Sequence, residues 1–513
     1  MTKSFYITTP IYYPSAKPHM GHAYSSIIAD FFARFKKIDG FNVYFLTGTD
    51  EHGLKIQRAA EKAGIEPLKF CDKISKTFKE LSKTLNLTNT DFIRTTESRH
   101  FKSVQHLWNE LEKNDDIYLS KYSGWYSVSD EAFYNEDEIE EIDGKKLALT
   151  SKSPVEWVDE ESYFFRLSKW EKPLLEYYEK NPDFIAPETR KNEVISFVKN
   201  GLKDLSISRK SFSWGIPVPN NEEHVIYVWL DALTNYISAL DYPDTKSKLF
   251  KNYWPASVHL IGKDILRFHA IYWPAFLLAA KIPLPKRIYG HGWILSGEEK
   301  MSKSKGNILD PLEIIKQYGL DPLRYYLIKE VSFGNDGNIS QDKLEDCINS
   351  DLANNFGNLC QRVTAFAIKN CDGKIPNNIE FKSEDLKILD KFKLNLNLIR
   401  EKINNQDINY YINFIVNTLF ETNKYFNDQE PWKKKDDKTR LNTIVYTTLE
   451  IVRKISYMLY PIIPESSLNA LKIFGIKEKQ IEFSSLENHD FLQENHDIKK
   501  IDILFKKIEK NND

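Results

Sequence analysis

Cysteine is scarce: Cys71, Cys347, Cys360 and Cys371 are the only ones among 513 residues. None forms a CxxC pair, which excludes a paired-cysteine zinc knuckle and a redox dithiol. Long hydrophobic runs are missing too; residues 276–280 (FLLAA) fall far short of the roughly 18 residues a membrane span needs. The opening MTKSFYITTP lacks a basic stretch followed by an apolar one, so no secretory signal is expected. Without one, the cysteines read as reduced cytosolic thiols, used as small core residues. Net charge is nearly absent: 71 Lys and Arg against 73 Asp and Glu leave −2. That argues against a chain coated with basic charge for nonspecific nucleic-acid binding, but not against a local basic groove. What is present is ordinary globular composition, 41% hydrophobic and 28% charged, so a mainly disordered chain is excluded. At about 150 residues per domain the length suggests some three domains.

The order of segments points to a mixed α/β protein. Residues 5–9 read as a buried strand, and the Pro- and Ser-rich 10–18 as a turn. Ile27, Ile28, Phe31, Phe32 and Phe35 then mark one apolar helix face. Residues 42–46 (NVYFL) read as a second strand, with Gly48 starting a turn into another helix. Strand, loop, helix, strand is a βαβ unit and implies a parallel sheet. From about Tyr118 to Pro219 the character changes. Aromatic strands such as 124–127, an acidic hairpin over 135–146 and a helix near 170–179 read as an insertion between two halves of the sheet. The alternation resumes with strands at 225–230 and 258–261 and helices at 232–240 and 266–280. Beyond Leu344 the chain reads as nearly all helix. Leu386, Leu389, Phe392, Leu396 and Ile399 share one face; Leu441, Ile444, Val445, Leu449 and Val452 share another, stopped by Pro461 and Pro464. The expected division is a sheet domain over 1–117 and 225–290, its insertion over 118–224, a linking region over 291–345 and an all-α domain over 346–513.

His19-Met20-Gly21-His22 stands between the first strand and its helix, at the strand edge where open parallel sheets bind ligands. A helix N-terminus there favours a phosphate, and two imidazoles add donors that can follow charge onto its oxygens. Gly21 leaves room for a nucleotide base to approach. A helix cap or a metal-binding histidine pair would use the same residues. Lys300-Met301-Ser302-Lys303-Ser304 comes much later, between Gly297 and Gly306, which suggests a mobile loop. Two compact ammonium groups on long stems suit a polyphosphate whose charge grows as it departs. A solvated basic loop is the bland alternative.

In this order the two motifs resemble the paired signatures of class I aminoacyl-tRNA synthetases. The surrounding strings are similar to the methionyl-tRNA synthetase family: ITTPIYYPSAKPHMGH (7–22), GTDEHG (48–53), SFSWGIPVP (211–219), YVWLDAL (227–233) and GKDILRFHAIYWPA (262–275). The resemblance runs almost end to end, to ILFKKIE at 503–509. It implies a Rossmann-like parallel sheet domain split by an inserted connective domain, then a region with the KMSKS loop and a tRNA-stem contact, then an α-helical anticodon-binding domain. The implied activity is methionine activation by ATP, with Mg2+, to methionyl-adenylate and pyrophosphate, followed by transfer to the 3′ end of tRNA(Met), initiator tRNA included. The implied catalytic residues are His19, His22, Lys300 and Lys303. These four would bind ATP together with Gly21, and Gly262 and Asp264 would hold its ribose. The implied methionine pocket is Ile11, Tyr13, Asp50, Trp229, Ala232, Tyr236, Ile265, His269 and Trp273, with His269 and Trp273 on one face of one helix. A thioether packs well on aromatic edges, and Asp50 suits the substrate ammonium. The implied anticodon readers are Asn354, Asn358 and Arg362, four apart on one helix face, with Trp432. Amides and a guanidinium read base edges, and an indole stacks on an unpaired base. Taken alone, an exposed Asn ladder is unremarkable.

One departure matters. Many members of the family bind zinc through cysteine knuckles in the inserted domain, whereas GWYSVSDEAFY (124–134) holds neither cysteine nor histidine. No structural metal is therefore expected. The chain stops with the helical domain, without the C-terminal barrel module that pairs subunits in longer relatives, so a cytoplasmic monomer is expected. Three other readings fit less. A leucine, isoleucine or valine synthetase would carry a much larger editing insertion. A tRNA-binding paralogue with a dead active site does not explain two intact signatures. A nucleotidyltransferase for small molecules leaves the helical domain without a purpose.

Overall fold

The computed structural model of the chain describes residues 3–130, 132–142, 144–296, 299–300, 310–489 and 491–509. These divide into two compact units, one of residues 4–18 and 43–291, the other of residue 3, 19–42 and 292 onward.

The first unit is built on a six-stranded sheet. In chain order its strands are β1 (Ser4–Tyr12), β2 (Asn42–Thr49), β3 (Asp91–Arg94), β4 (Ile185–Ala186), β5 (Val258–Gly262) and β6 (Ile288–His291); in space the order is β3-β2-β1-β5-β6-β4. The pairs β2–β3, β1–β5, β5–β6 and β6–β4 are parallel, and β1 meets β5 with Ile7 opposite Val258 and Thr8 opposite His259. The chain leaves β1 for β2 on one side, while β5 lies on the other. The strand order thus reverses between β1 and β5, the switch point at whose C-terminal strand ends such sheets bind ligands. Gly48, expected in a turn, lies inside β2. A Cβ there would come 2.0 Å from the Ile93 carbonyl oxygen, so the approach of β3 demands glycine.

Within 118–224, Leu205–Ser206, Glu156–Phe165, Ile117–Ser127 and Ala132–Tyr134 form a separate antiparallel sheet, and Ile139–Ile142 pairs with Lys145–Ala148 as a hairpin. One strand from this stretch, β4, joins the main sheet at its edge. Two sequence expectations need correction. The strand expected over 225–230 ends at Ile226, and Val228–Leu233 is a helix. The helix expected over 266–280 contains a π turn, Phe268–Tyr272, before Trp273–Ala279. Pro274 has no N–H to give the Ala270 carbonyl, and the Tyr178 hydroxyl donates to that carbonyl at 2.5 Å instead.

The second unit holds α1 (Met20–Ile38) and the helices after residue 310, among them α2 (Leu320–Glu330), α3 (Asn358–Asn370), α4 (Ser383–Asn404), α5 (Ile408–Asp428) and α6 (Lys438–Leu459). On α4 the residues Leu389, Phe392, Leu396 and Ile399 are buried, while Leu386 is 36% exposed and falls off that face. Helix α6 is buried all round, so its charged residues have to be met internally. Arg453 Nε donates to Glu450 at 2.9 Å, and Lys454 Nζ to the Leu486 carbonyl at 2.8 Å. Helix α1 is tied in by Asp30, whose Oδ2 accepts from Arg34 Nε and from Arg324 Nη2 of α2, each at 2.7 Å. Arg324 also donates to the carbonyls of Ile462 at 2.8 Å and Pro461 at 3.1 Å. All three side chains are buried.

Removing a buried partner leaves the other charges uncompensated, a loss of about 3–5 kcal/mol. Asp30→Ala is therefore expected to lower the midpoint of denaturant unfolding, followed by a probe in the helical unit. An unchanged midpoint would show that the cluster carries no stability.

Candidate functional site

Around the switch point of the first unit the predicted pocket residues come together. Tyr12 ends β1, and its carbonyl accepts the Asp50 N–H at 2.9 Å, joining the ends of β1 and β2. Asp50 is buried. Ile11, Tyr13 and Ile265 are half-buried against the core that includes Trp229, Tyr236 and Trp273. The Tyr236 ring lies 5.7 Å from His269 and 6.1 Å from Trp273, and Trp229 stands edge-on to His269 at 6.1 Å. Ala232, on the same helix as Trp229, is buried, and its carbonyl accepts from Asn235 Nδ2 at 2.6 Å. At the end of β5, a Cβ on Gly262 would come 2.6 Å from Asp264 Oδ1, so the bare glycine is what lets that carboxylate fold back.

Hydrogen bonding sets the protonation inside this pocket. His269 Nδ1 lies 2.9 Å from the Ile265 carbonyl, which can only accept, so the ring proton stands on Nδ1. Its Nε2 then accepts from the Tyr236 hydroxyl at 2.7 Å. Burial pushes the His269 pKa down to about 4, against the opposing effects of the Ile265 bond and Asp264. His259, stacked on Tyr236 at 4.1 Å, is held well below its ordinary value by burial and then by His269. Among the described residues the buried indole N–H groups of Trp229 and Trp273 have no hydrogen-bond partner.

Sequence reasoning missed several contributors. Phe268 stacks flat on Trp229, with ring centres 3.8 Å apart, and is visible only once the π turn is known. Thr8 and His259, bonded at 2.9 Å, join β1 to β5 beneath Tyr236. Asp231, His52 and His100 form a buried trio. The quoted strings GTDEHG and YVWLDAL contain two of that trio, but no spacing rule pairs residues so far apart.

The second unit carries the HMGH motif. His19 caps α1: its Nδ1 accepts the Gly21 N–H at 3.1 Å, and His22 Nδ1 accepts the His19 N–H at 3.1 Å. With both Nδ1 atoms accepting, each neutral ring carries its proton on Nε2. The rings lie 3.9 Å apart, and enclosure, then His19, push the His22 pKa well below its ordinary value. A Cβ on Gly21 would stand 3.0 Å from the His19 ring, so this glycine gives way to the cap itself. Lys300 lies on a short strand whose backbone pairs with Leu295. Lys303 falls outside the described residues. Among the described residues no group of three or more His, Cys, Asp or Glu is arranged to hold a metal ion, and no helix is long and apolar enough to cross a membrane.

The predicted anticodon residues also lie in this unit. Asn354 and Asn358 are exposed. Asn354 belongs to a π-helical stretch, Ile348–Gly357, and Asn358 opens the α-helix that follows it. Arg362 Nη2 donates to Asn427 at 2.6 Å, and its guanidinium sits 5.1 Å from the Phe426 ring. Phe426 in turn meets Trp432 edge-on at 6.3 Å, and Trp432 is 42% exposed. Arg440, paired with Asp385, donates to Gln429 Oε1 at 2.6 Å and anchors the turn that presents Trp432. Phe426 and Asn427 carry no signal in the sequence that would have found them.

A parallel sheet with its pocket at the switch point, a histidine-capped helix that follows the first strand in the chain and a helical tail define the class I aminoacyl-tRNA synthetase architecture. The comparisons narrow the class. Residues 5–146 and 140–364 match the family described as tRNA synthetases class I (M), and 375–513 match the anticodon binding domain of methionyl tRNA ligase. The methionine–tRNA ligase of Rickettsia felis is 50% identical over 516 residues, 99% of each chain; that of Brucella suis is 49% identical over 486 residues, 94% of each. The Mycobacterium tuberculosis methionyl-tRNA synthetase in complex with methionyl-adenylate matches with a TM-score of 0.96 at 45% identity, over 98% of this chain and 100% of that one. Its apo form matches at 0.90 and 42% identity, over 99% of each. The chain belongs to the methionyl-tRNA synthetase family.

Between pH 6.5, the ordinary histidine value, and about 4, the unfolded chain takes up a proton that buried His269 refuses. The stability His269 contributes is thus complete above pH 6.5 and lost as pH falls through that window. Thermal unfolding at pH 7 and pH 5 is expected to show a smaller drop in midpoint for His269→Gln than for the natural chain. Equal drops would exclude His269 as a source of acid sensitivity.

Proposed function

We propose that the residues assembled above run the chemistry of the family. The reaction is that of a methionine–tRNA ligase: methionine and ATP give methionyl-adenylate and pyrophosphate, and methionine then passes to the 3′ end of tRNA(Met). The observation that supports the residue assignment most is the buried set of Trp229, Tyr236, His269 and Trp273 at the switch point, which suits an unbranched thioether. Ile11, Tyr13, Ala232 and Ile265 complete that slot, and Asp50 meets the substrate ammonium.

In the first step the methionine carboxylate attacks the α-phosphorus in line, and pyrophosphate leaves with the Mg2+ that accompanies ATP. Positioning and charge stabilisation dominate such a step. His19 and His22, with their ring protons on Nε2, donate to the phosphates beside Gly21, while Gly262 and Asp264 hold the ribose. Lys300 and Lys303 close over the departing pyrophosphate. In the second step a terminal ribose hydroxyl of the tRNA attacks, and the adenylate phosphate accepts its proton. Residues 1–117 and 225–290 form the catalytic domain, 118–224 its insertion and 291–345 the KMSKS and stem-contact region. Residues 346–513 read the anticodon through Asn354, Asn358, Arg362 and Trp432, on initiator tRNA as on the elongator. The protein acts as a cytoplasmic monomer without structural zinc, and stoichiometric zinc in elemental analysis would overturn that last point.

Methionine-dependent ATP–pyrophosphate exchange, absent with leucine, isoleucine or valine, tests the assignment. Lys303→Ala is expected to slow exchange by about 10²–10³-fold, the usual loss for one charge-stabilising donor, with methionine affinity nearly unchanged. An equal loss of affinity would mean that the loop also shapes the amino-acid pocket. Arg362→Ala and Trp432→Ala are expected to spare exchange and reduce tRNA charging. If exchange fell with charging, the helical region would not be a separate reader.

A further inference from the structure

Asp231 is fully buried in the helix Val228–Leu233, one residue from Ala232 and two from Trp229. Its Oδ2 lies 2.7 Å from His52 Nδ1 and its Oδ1 2.7 Å from His100 Nε2, so each oxygen accepts an N–H from a different segment. His100, in the helix Ser98–Lys113, is set from its other side by Ser238 Oγ at 3.0 Å. His52 is held edge-on by Phe101 at 5.4 Å and by Trp214 at 5.5 Å, and the Trp214 indole donates to the Glu51 carbonyl at 2.6 Å. Glu51 is fixed in turn, accepting from Thr49 at 2.8 Å, Arg94 at 2.7 Å and Thr96 at 2.5 Å. Burial alone would raise the pKa of Asp231; His52 and His100 together hold it below the ordinary carboxylate value.

The turn after β2 therefore has the two residues that follow Asp50 anchored, Glu51 toward β3 and His52 toward the helix that carries Trp229 and Ala232. Stability alone does not ask for this arrangement. A buried carboxylate between two imidazoles is at best neutral against an apolar replacement of the same shape. What it supplies is a fixed separation between two elements that touch different ends of one small molecule.

We propose that Asp231 is a positioning residue for the ammonium subsite: through His52 it holds the Asp50 turn in register with the helix bearing Trp229 and Ala232, so that the ammonium and the thioether of one methionine are met together. The proposal rests on the assignment of Asp50 to the substrate ammonium.

The test compares binding of methionine with that of 4-(methylthio)butanoate, which keeps the side chain and carboxylate and lacks the ammonium. Asp231→Asn retains the shape but turns an N–H toward one imidazole. It is expected to weaken methionine roughly tenfold, the scale of a sub-ångström misplacement, while the analogue changes less than about twofold and the KM for ATP stays put. Asp50→Asn is the reference arm. If it fails to discriminate the two ligands, the reading of Asp50 falls. If it discriminates and Asp231→Asn weakens both ligands equally, or neither, the positioning role falls. His52→Gln leaves the His100 bond to Asp231 in place and serves if Asp231→Asn does not fold; selective loss of methionine again supports the proposal, and equal loss or none overturns it.

Discussion

A carboxylate taken out of water must be met by donors from elsewhere in the chain, and that requirement organises this molecule more than any single apolar contact. In the helical unit Asp30 gathers Arg34 and Arg324, and Arg324 goes on to the carbonyls of Pro461 and Ile462. The helix capped by His19 is thereby registered against α2 and against the turn that ends α6. In the sheet unit Asp231 gathers His52 and His100, and Glu51 gathers Thr49, Arg94 and Thr96. The bonds from Arg324 and those to Asp231 are buried and join segments 131 to 294 residues apart. Apolar packing makes the two units compact; these polar nodes decide how their parts are aligned.

On the proposed assignment, the same logic gives the pocket an uncharged end and a charged one. His269 and His259 are kept uncharged by burial, so neither competes with Asp50 as a charge in the pocket. The π turn at Phe268–Tyr272 widens the helix where Phe268 reaches Trp229 and His269 reaches Tyr236. Tyr178 makes the proline tolerable there by donating to the Ala270 carbonyl that Pro274 leaves bare. Chemistry and fold meet here in one local irregularity, as π turns often mark functional sites.

Much of this was legible beforehand. The apolar spacing of Ile27 to Phe35 became α1, the NVYFL run became part of β2, and the apolar faces of α4 and α6 hold apart from Leu386. The HMGH motif sits where a strand hands over to a helix. Trp229 reads as part of a strand because VIYVWL is apolar and β-branched, and only its neighbours turn it into a helix. Gly48 looked like a turn residue and proved to be a point of strand contact. Asn354, Asn358 and Arg362 read as four apart on one helix face, and the π stretch at 348–357 that carries Asn354 leaves no mark in that spacing.

The sequence by itself determined the class of chemistry and the residue types that perform it. Motif spacing and hydrophobic period are local properties, and they survive without knowledge of the fold. Tertiary structure alone decided which distant groups share a proton or a charge: His269 with Tyr236, Asp231 with His52 and His100, Arg362 with Asn427. Those pairings depend on burial and on short distances between segments separated by tens to hundreds of residues. A hydrogen bond leaves no periodic mark in the sequence that forms it.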